Sequence, residues 1–291
     1  MPDATRHREA VLLLAITTGL LTCTQSSYAL GEDADKEPHR PAEVLQLFNG
    51  RDLAGLYTWM PETKYDDPHD VFSVRDGVLQ ISGEAYGYLC TKQAYRDYHL
   101  VLEFRWGQRT WEPRKTRSRD SGIMFHGFGG DGSAGTWMAS HEYQIIEGGV
   151  GDLLVVPGTD ADGQPHSMSL TCEVEEDRDG EPCWKRGGER RTFSRGRINW
   201  YGRDPDWEDV LGFRGAQDVE SPHGQWTRCE LTCDGDQVIA RVNGQIVNEG
   251  YEASPAAGKI LLQSEGAELF IRRWELHPLD QAPSNDAASV P

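Results

Sequence analysis

The stretch Glu142-Tyr143-Gln144-Ile145-Ile146-Glu147 sets two carboxylates and an amide within six residues. Carboxyl groups in one site can divide the duties of acid and base if their surroundings drive their pKa values apart. The stretch reads as a β-strand, so successive side chains point to opposite faces. Glu142 and Gln144 then share one face, opposed by Tyr143 and Ile145. Strict parity puts Glu147 on the other face, although Gly148-Gly149 follow and allow the strand end to twist. The same parity supplies further polar groups. In 98–106, Glu103 and Arg105 oppose Leu100, Leu102 and Phe104; in 121–126, Met124 and His126 oppose Ile123 and Phe125. In 237–242, Arg241 opposes Val238, Ala240 and Val242, and in 259–265 Gln263 and Glu265 lie on the side of Leu261. If 98–106, 121–126, 142–147 and 259–265 are neighbours in one sheet, these groups line a single polar groove. With Trp59, Trp106 and Trp137 nearby in sequence, such a groove suits a sugar, whose ring stacks on indoles and whose hydroxyls need amide and acid partners. The competing expectation is an ordinary solvated face of an antiparallel sheet.

The elements that must position these residues are short and β-like. Val71-Phe-Ser-Val74 runs through Asp76-Gly77 into Val78-Leu-Gln-Ile81, a hairpin pattern. Further runs lie at 152–156, 169–174, 226–233, 237–242, 245–248, 259–263 and 269–276, with Asp234-Gly235 and Asn243-Gly244 as tight-turn dipeptides. The last third therefore predicts a meander of antiparallel strands. Residues 177–222, rich in Gly, Arg, Asp and Pro, predict long loops. No long stripe of 3.6-residue period follows residue 29, and no nucleotide-binding glycine loop or His-Glu-x-x-His motif occurs. The chain is expected to be all-β, a single sandwich over 44–280 with a tail at 281–291.

The formal charge of −18 over 291 residues argues against nucleic acid or an anionic membrane as partner, since both need basic patches. Arg6, His7 and Arg8 precede an apolar run at 11–21 too short to span a bilayer, and Ser27-Tyr28-Ala29 offers a small-x-small exit. Residues 1–29 thus predict a signal peptide and an exported protein, with 30–43 as a flexible lead-in. A lipid anchor on Cys23 is the weaker alternative, because Thr22 is a poor residue just before a lipidated cysteine. An exported chain can hold disulfides. Cys172 and Cys183 bracket the turn signal Asp177-Arg-Asp-Gly180, which predicts a bond between them. Cys229 and Cys233 lie too far apart on one strand to bond each other and are expected to face the core.

Several stretches, taken in order, resemble a known family. They are Leu47-Phe-Asn-Gly50 with Asp52-Leu53, Asp97-Tyr-His-Leu-Val-Leu-Glu103-Phe-Arg105, Asp120-Ser-Gly-Ile123, Glu142-Tyr-Gln-Ile145, Val242-Asn-Gly244 with Val247-Asn248-Glu249, and Gly258-Lys-Ile-Leu-Leu-Gln263 running to Phe270-Ile-Arg-Arg273. The set is similar to the 3-keto-disaccharide hydrolase domain. The resemblance implies a concanavalin A-like jelly roll of two antiparallel sheets with a ligand site on the concave face. It also implies action on a small saccharide oxidised at carbon 3.

A 3-keto group acidifies the hydrogen on C2, so a base can remove it, the enolate is stabilised, and the C1 substituent leaves with a proton from an acid. Under this reading Glu142 or His126 is acid or base, and Arg105 stabilises the enolate with Lys92 as a possible helper. Glu103, Gln144, Glu147, Arg241, Asn248 and Gln263 are the expected substrate-binding residues. A divalent cation on Glu142, His126 and Glu265 could take the place of Arg105. Two alternatives stand beside it. One is a non-catalytic sugar-binding module; the other is direct hydrolysis of β-glycans by two carboxylates, which Gln144 disfavours because it cannot ionise.

Overall fold

The computed structural model describes residues 37–282. The expected signal peptide, Cys23 and the tail from 283 lie outside the described residues. Within them the alternating runs become strands that form two antiparallel sheets packed face to face, with one short 3-10 turn at Leu279–Gln281. The all-β, jelly-roll sandwich expected from the sequence is what the chain adopts. No helix among the described residues is long and apolar enough to cross a membrane.

The smaller sheet has seven strands in the order Gly196–Ile198, Leu153–Val156, Ala139–Ile146, Asp120–Phe128, Lys259–Ser264, Gly87–Thr91 and Leu56–Trp59. The larger, of eleven strands, runs centrally through Gln245–Ser254, Gln237–Val242, Thr227–Asp234, Tyr98–Thr110 and Ala267–His277. Between them lies one apolar core. Leu100, Leu102, Phe104, Leu231 and Trp274 of the larger sheet meet Ile123, Tyr143, Ile145 and Leu262 of the smaller. Each such side chain, fully buried, contributes about 1.5–3 kcal/mol. Cys229 and Cys233 sit in this core beside Leu231, as their parity requires.

The hairpin through Asp76-Gly77 forms, and both residues take positive φ, 51° and 79°, as a two-residue turn of this kind demands. The last third follows a meander only in part. Strands Thr227–Asp234, Gln237–Val242 and Gln245–Ser254 pair in succession. Lys259–Ser264 then crosses to the smaller sheet, and Ala267–His277 returns to the larger. Residues 177–222 are not loops throughout. They contain Pro182–Trp184, Glu189–Phe193 and Gly196–Ile198, strands too short and too charged to show alternation.

The expected disulfide does not form. In the hairpin after Ser169–Glu176, Glu176 faces Pro182, so Cys183 falls opposite Glu175 while Cys172 faces Arg191. All five cysteines among the described residues are free thiols. The described end of the lead-in is held, because His39 exchanges backbone hydrogen bonds with Ala94 and Arg96.

Candidate functional site

The site grows from side-chain parity on the smaller sheet. Residues 123, 125, 143 and 145 point into the core, which sends Asp120, Gly122 and Met124 of one strand and Glu142 and Gln144 of its neighbour to the outward face. The register pairs Met124 with Glu142 and Gly122 with Gln144. On the next strand over, Leu261 lies opposite Met124, which brings Gln263 alongside Gly122. Gly122 is the floor of the site. A Cβ placed there would stand 2.5 Å from both Gln263 Oε1 and Glu142 Oε1. The missing side chain lets the acid and the amide lean together over one point.

Charge is concentrated around that point. Asp120 and Glu265 share the Arg114 guanidinium, Glu265 at 3.2 Å. Arg114 arrives on the 111–119 segment, which passes from the larger sheet to the smaller and is tied by Trp111 N–H to Gly266 O at 2.7 Å. On the other flank Arg197 donates to Asp152 at 2.9 Å, and Asp152 also binds Arg203 and the N–H of Trp200. Four carboxylates thus face three guanidiniums, so the cluster favours keeping a proton. Burial, with Glu265 adding to it, raises Glu142 to about 8, against which Arg197 and the Gln263 amide act. Glu142 is 5% exposed. Burial and the facing Glu265 push Asp120 up as well, and burial does the same to Glu265. Glu265 keeps 17% of its side chain open to solvent and Arg197 30%.

Laterally the outward face reads Arg197, Glu142, Gln263 with Glu265, and then Tyr86 just ahead of Gly87–Thr91. The charges of Glu265 and Arg114 both act on the Tyr86 phenol, and its ring lies 6.4 Å from that of Trp137. Farther along is an apolar cluster of Trp59, Tyr88, Cys90, Met124, Met138 and Leu261, with Trp137 packed on it. Beyond Arg197 a cleft of ≈ 220 Å³ opens, lined also by Glu181, Asn199, Asp204 and Trp207. The arrangement offers a buried acid, an ionisable neighbour on a guanidinium, orienting amides and an aromatic edge.

Of the residues proposed from sequence, Glu142, Gln144 and Gln263 share this face, and Glu265, expected beside Gln263 and as a metal ligand, joins them. The others do not. His126 should have followed Met124 outward, but its strand bulges between Phe125 and Phe128, and His126 takes a φ of 53°. The ring turns into the core against Tyr98, Phe125 and His141, with Nδ1 3.1 Å from Pro255 O. Burial holds it near 3, hence uncharged. The cation site on Glu142, His126 and Glu265 is therefore not assembled, and no group of three or more His, Cys, Asp or Glu among the described residues is placed to hold a metal ion.

Arg105 and Glu103 belong to the larger sheet and project from its outer side. Arg105 lies between Trp226 and Phe270, and Glu103 pairs with Arg272, Arg273 and Arg228. Arg241 is on that sheet too, donating to Thr232 at 3.3 Å. Asn248 points inward and bonds Ile198 O at 3.1 Å. Glu147 locks a corner, accepting from Arg119 and from Gly212 N–H. Lys92 is exposed past the end of Gly87–Thr91. Of the three tryptophans singled out from the sequence, Trp106 is buried on the larger sheet and donates to Glu220, Trp59 is packed under Gly132, and Trp137 stands at the site.

Six residues of the site were missed as candidates: Asp120, Asp152, Arg114, Arg197, Arg203 and Tyr86. Asp120 was legible, since it shares parity with Gly122 and Met124. Arg114 and Arg197 lie in irregular or very short elements whose sequence gives no facing.

Comparison with known proteins adds three findings. The model of the 3-keto-alpha-glucoside-1,2-lyase-like domain matches residues 43–277. None of the curated proteins matches. Among solved structures, a provisionally assigned glycosyl hydrolase from Parabacteroides distasonis shares 16% identity at a TM-score of 0.47, covering 82% of this chain and 94% of its own. A carbohydrate-binding module from Bacillus subtilis shares 7% at 0.43, covering 77% and 95%, and a β-glucanase from Bacillus licheniformis 10% at 0.42, covering 82% and 99%.

Proposed function

From the premise that the chain belongs to the 3-keto-alpha-glucoside-1,2-lyase-like domain family, we propose that it cleaves 3-keto-glycosides by elimination on the outward face of the smaller sheet. The observation that carries this reading is the convergence of Glu142 and Gln263 over Gly122, with Glu142 keeping its proton near neutrality. Glu265, paired with Arg114, is the base and removes the proton on C2. The electron pair moves onto the C3 oxygen as an enolate, which Arg114 stabilises from beside the base. The ketone then re-forms, a C1=C2 double bond is made, and the C1–O bond breaks. Its oxygen takes the proton from Glu142, so atoms and charge balance. The environments support these roles. Arg114 beside Glu265 opposes the rise that burial imposes on that carboxyl, whereas Glu142 touches no cation and is the more buried. Arg197 and the cleft beyond it give room on the leaving-group side. Addition of water to the double bond would turn the elimination into a net hydrolysis.

The N-terminal sequence supports an exported enzyme acting outside the cytoplasm. The sugar-binding module remains the second reading, favoured by the Tyr86–Trp137 pair, which serves binding as well as catalysis. The experiment is incubation of purified protein with a methyl 3-keto-α-glucoside and with the plain glucoside, followed by product analysis and calorimetry. Methanol should be released from the keto sugar alone. Saturable binding without product would support the module, and cleavage of the plain glycoside would support two-carboxylate hydrolysis.

A further inference from the structure

Loop 129–138 joins the strands Asp120–Phe128 and Ala139–Ile146 and reaches across the outward face as far as Leu56–Trp59. One carboxylate fixes that reach. Asp131 accepts O–H bonds from Tyr57 at 2.9 Å, Tyr88 at 2.6 Å and Tyr65 at 3.1 Å. Lys259 Nζ supports the arrangement, 3.3 Å from Tyr57 Oη and 4.9 Å from its ring. Other turn aspartates of this chain do less. Asp160 and Asp177 each accept two local backbone N–H groups and no phenol. Gly132 follows with φ of 74° and lies so close to Trp59 that a Cβ would stand 3.1 Å from the indole. The loop is thus pinned at 131–132 by side chains from separate elements, none of which belongs to it.

The other end of the loop carries the consequence. Ala134 N–H donates to Trp137 O at 2.9 Å, which closes a turn, and Trp137 then packs on the cluster of Met124 and Leu261. Its ring faces that of Tyr86 at 6.4 Å and 41°, and Tyr86 adjoins Glu265 and Arg114. Two aromatic faces so placed, beside a carboxylate and a guanidinium, fit a ring with one apolar face and polar edges.

We propose that Asp131 is a positioning residue: through Tyr57, Tyr65 and Tyr88 it holds loop 129–138 so that Trp137 and Tyr86 form a wall on which the apolar face of a pyranose ring stacks next to Glu265. This rests on the outward face being the saccharide site. Asp131 touches no reacting atom; it acts through Trp137. Its effect falls on ring binding and leaves the proton transfers in place.

The test uses the full chain with methyl 3-keto-α-glucoside as probe. Trp137→Ala and Asp131→Asn are each expected to raise KM about tenfold with kcat within about threefold. The double variant is expected to be no worse than Trp137→Ala alone, since both act through one side chain. Tyr88→Phe, which removes one of the three phenol donors, is expected to give a smaller rise and decides the matter if Asp131→Asn does not fold. A normal KM in Asp131→Asn or Tyr88→Phe, or fully additive losses in the double variant, would overturn the proposal. Glu142→Gln run in parallel separates the two claims. Loss of turnover in Glu142→Gln with an unchanged KM in Asp131→Asn sinks this inference alone, whereas a wild type that neither binds nor cleaves the probe sinks both.

Discussion

Glu142 is the residue on which the chemistry turns, and its environment makes two measurable statements. Its carboxyl is raised from the usual 4.5 to about 8 by burial and by Glu265. A group whose folded pKa is raised contributes stability below its unfolded pKa and loses it as pH rises through the folded one. The stability of the wild type, relative to Glu142→Gln, should therefore fall between pH 4.5 and 8, by an amount on the order of 5 kcal/mol, as denaturant titrations across that range would show. If Glu142 is the acid, kcat should fall through the upper end of the same window, and Glu142→Gln should lose about 10²–10⁴-fold in kcat while still binding the sugar. His126 predicts the opposite pattern. Uncharged and enclosed by Tyr98, Phe125 and His141, it serves packing. His126→Ala should cost roughly 2–4 kcal/mol of stability by denaturant titration. Arg105→Ala, on the far sheet between Trp226 and Phe270, should leave kcat/KM within about twofold. The sequence made Glu142 and Gln263 legible because regular alternation governs their strands. It misplaced His126 because a bulge reverses parity and leaves no signature in residue types.

At the scale of the element, what matters is which strands are neighbours. Three of the four stretches expected to share a sheet do so: Ala139–Ile146, Asp120–Phe128 and Lys259–Ser264 are adjacent. The fourth, now Tyr98–Thr110, lies in the other sheet, which is why Glu103 and Arg105 left the site. Parity within a strand is written in the sequence. The assignment of a strand to a sheet is not, because both sheets of a sandwich offer the same apolar inner face. Gly122 shows how an element can matter through what it lacks. Gly122→Ala would drive a methyl into the space taken by Glu142 Oε1 and Gln263 Oε1. Both are the far ends of flexible side chains, so they can move aside. Gly122→Ala should thus cost at most about 1–2 kcal/mol of stability yet depress kcat/KM by more than tenfold, as paired melting and kinetic measurements would show. Arg114 makes the complementary point. It reaches Asp120 and Glu265 from a connection with no regular structure, so no periodicity announces it.

Across the whole molecule, the two-sheet sandwich followed from short alternating runs and glycine turns, and the disulfide did not follow from a turn between two cysteines. Register decided it, by setting Cys183 against Glu175. Thiol titration of unfolded, unreduced protein should therefore find all five cysteines of residues 37–282 reactive, and added reductant should leave the melting temperature unchanged. The formal charge of −18 is consistent with an uncharged saccharide substrate, and anionic sugars should bind more weakly as salt is lowered. The central claim is that Glu265 takes the C2 proton and Glu142 gives one to the leaving oxygen. It is tested most directly by following a methyl 3-keto-α-glucoside in heavy water by NMR. Wild type should lose the C2 hydrogen and release methanol. Glu142→Gln should exchange the C2 hydrogen for deuterium without releasing methanol, and Glu265→Gln should do neither. Methanol release at the wild-type rate by either variant would contradict the account.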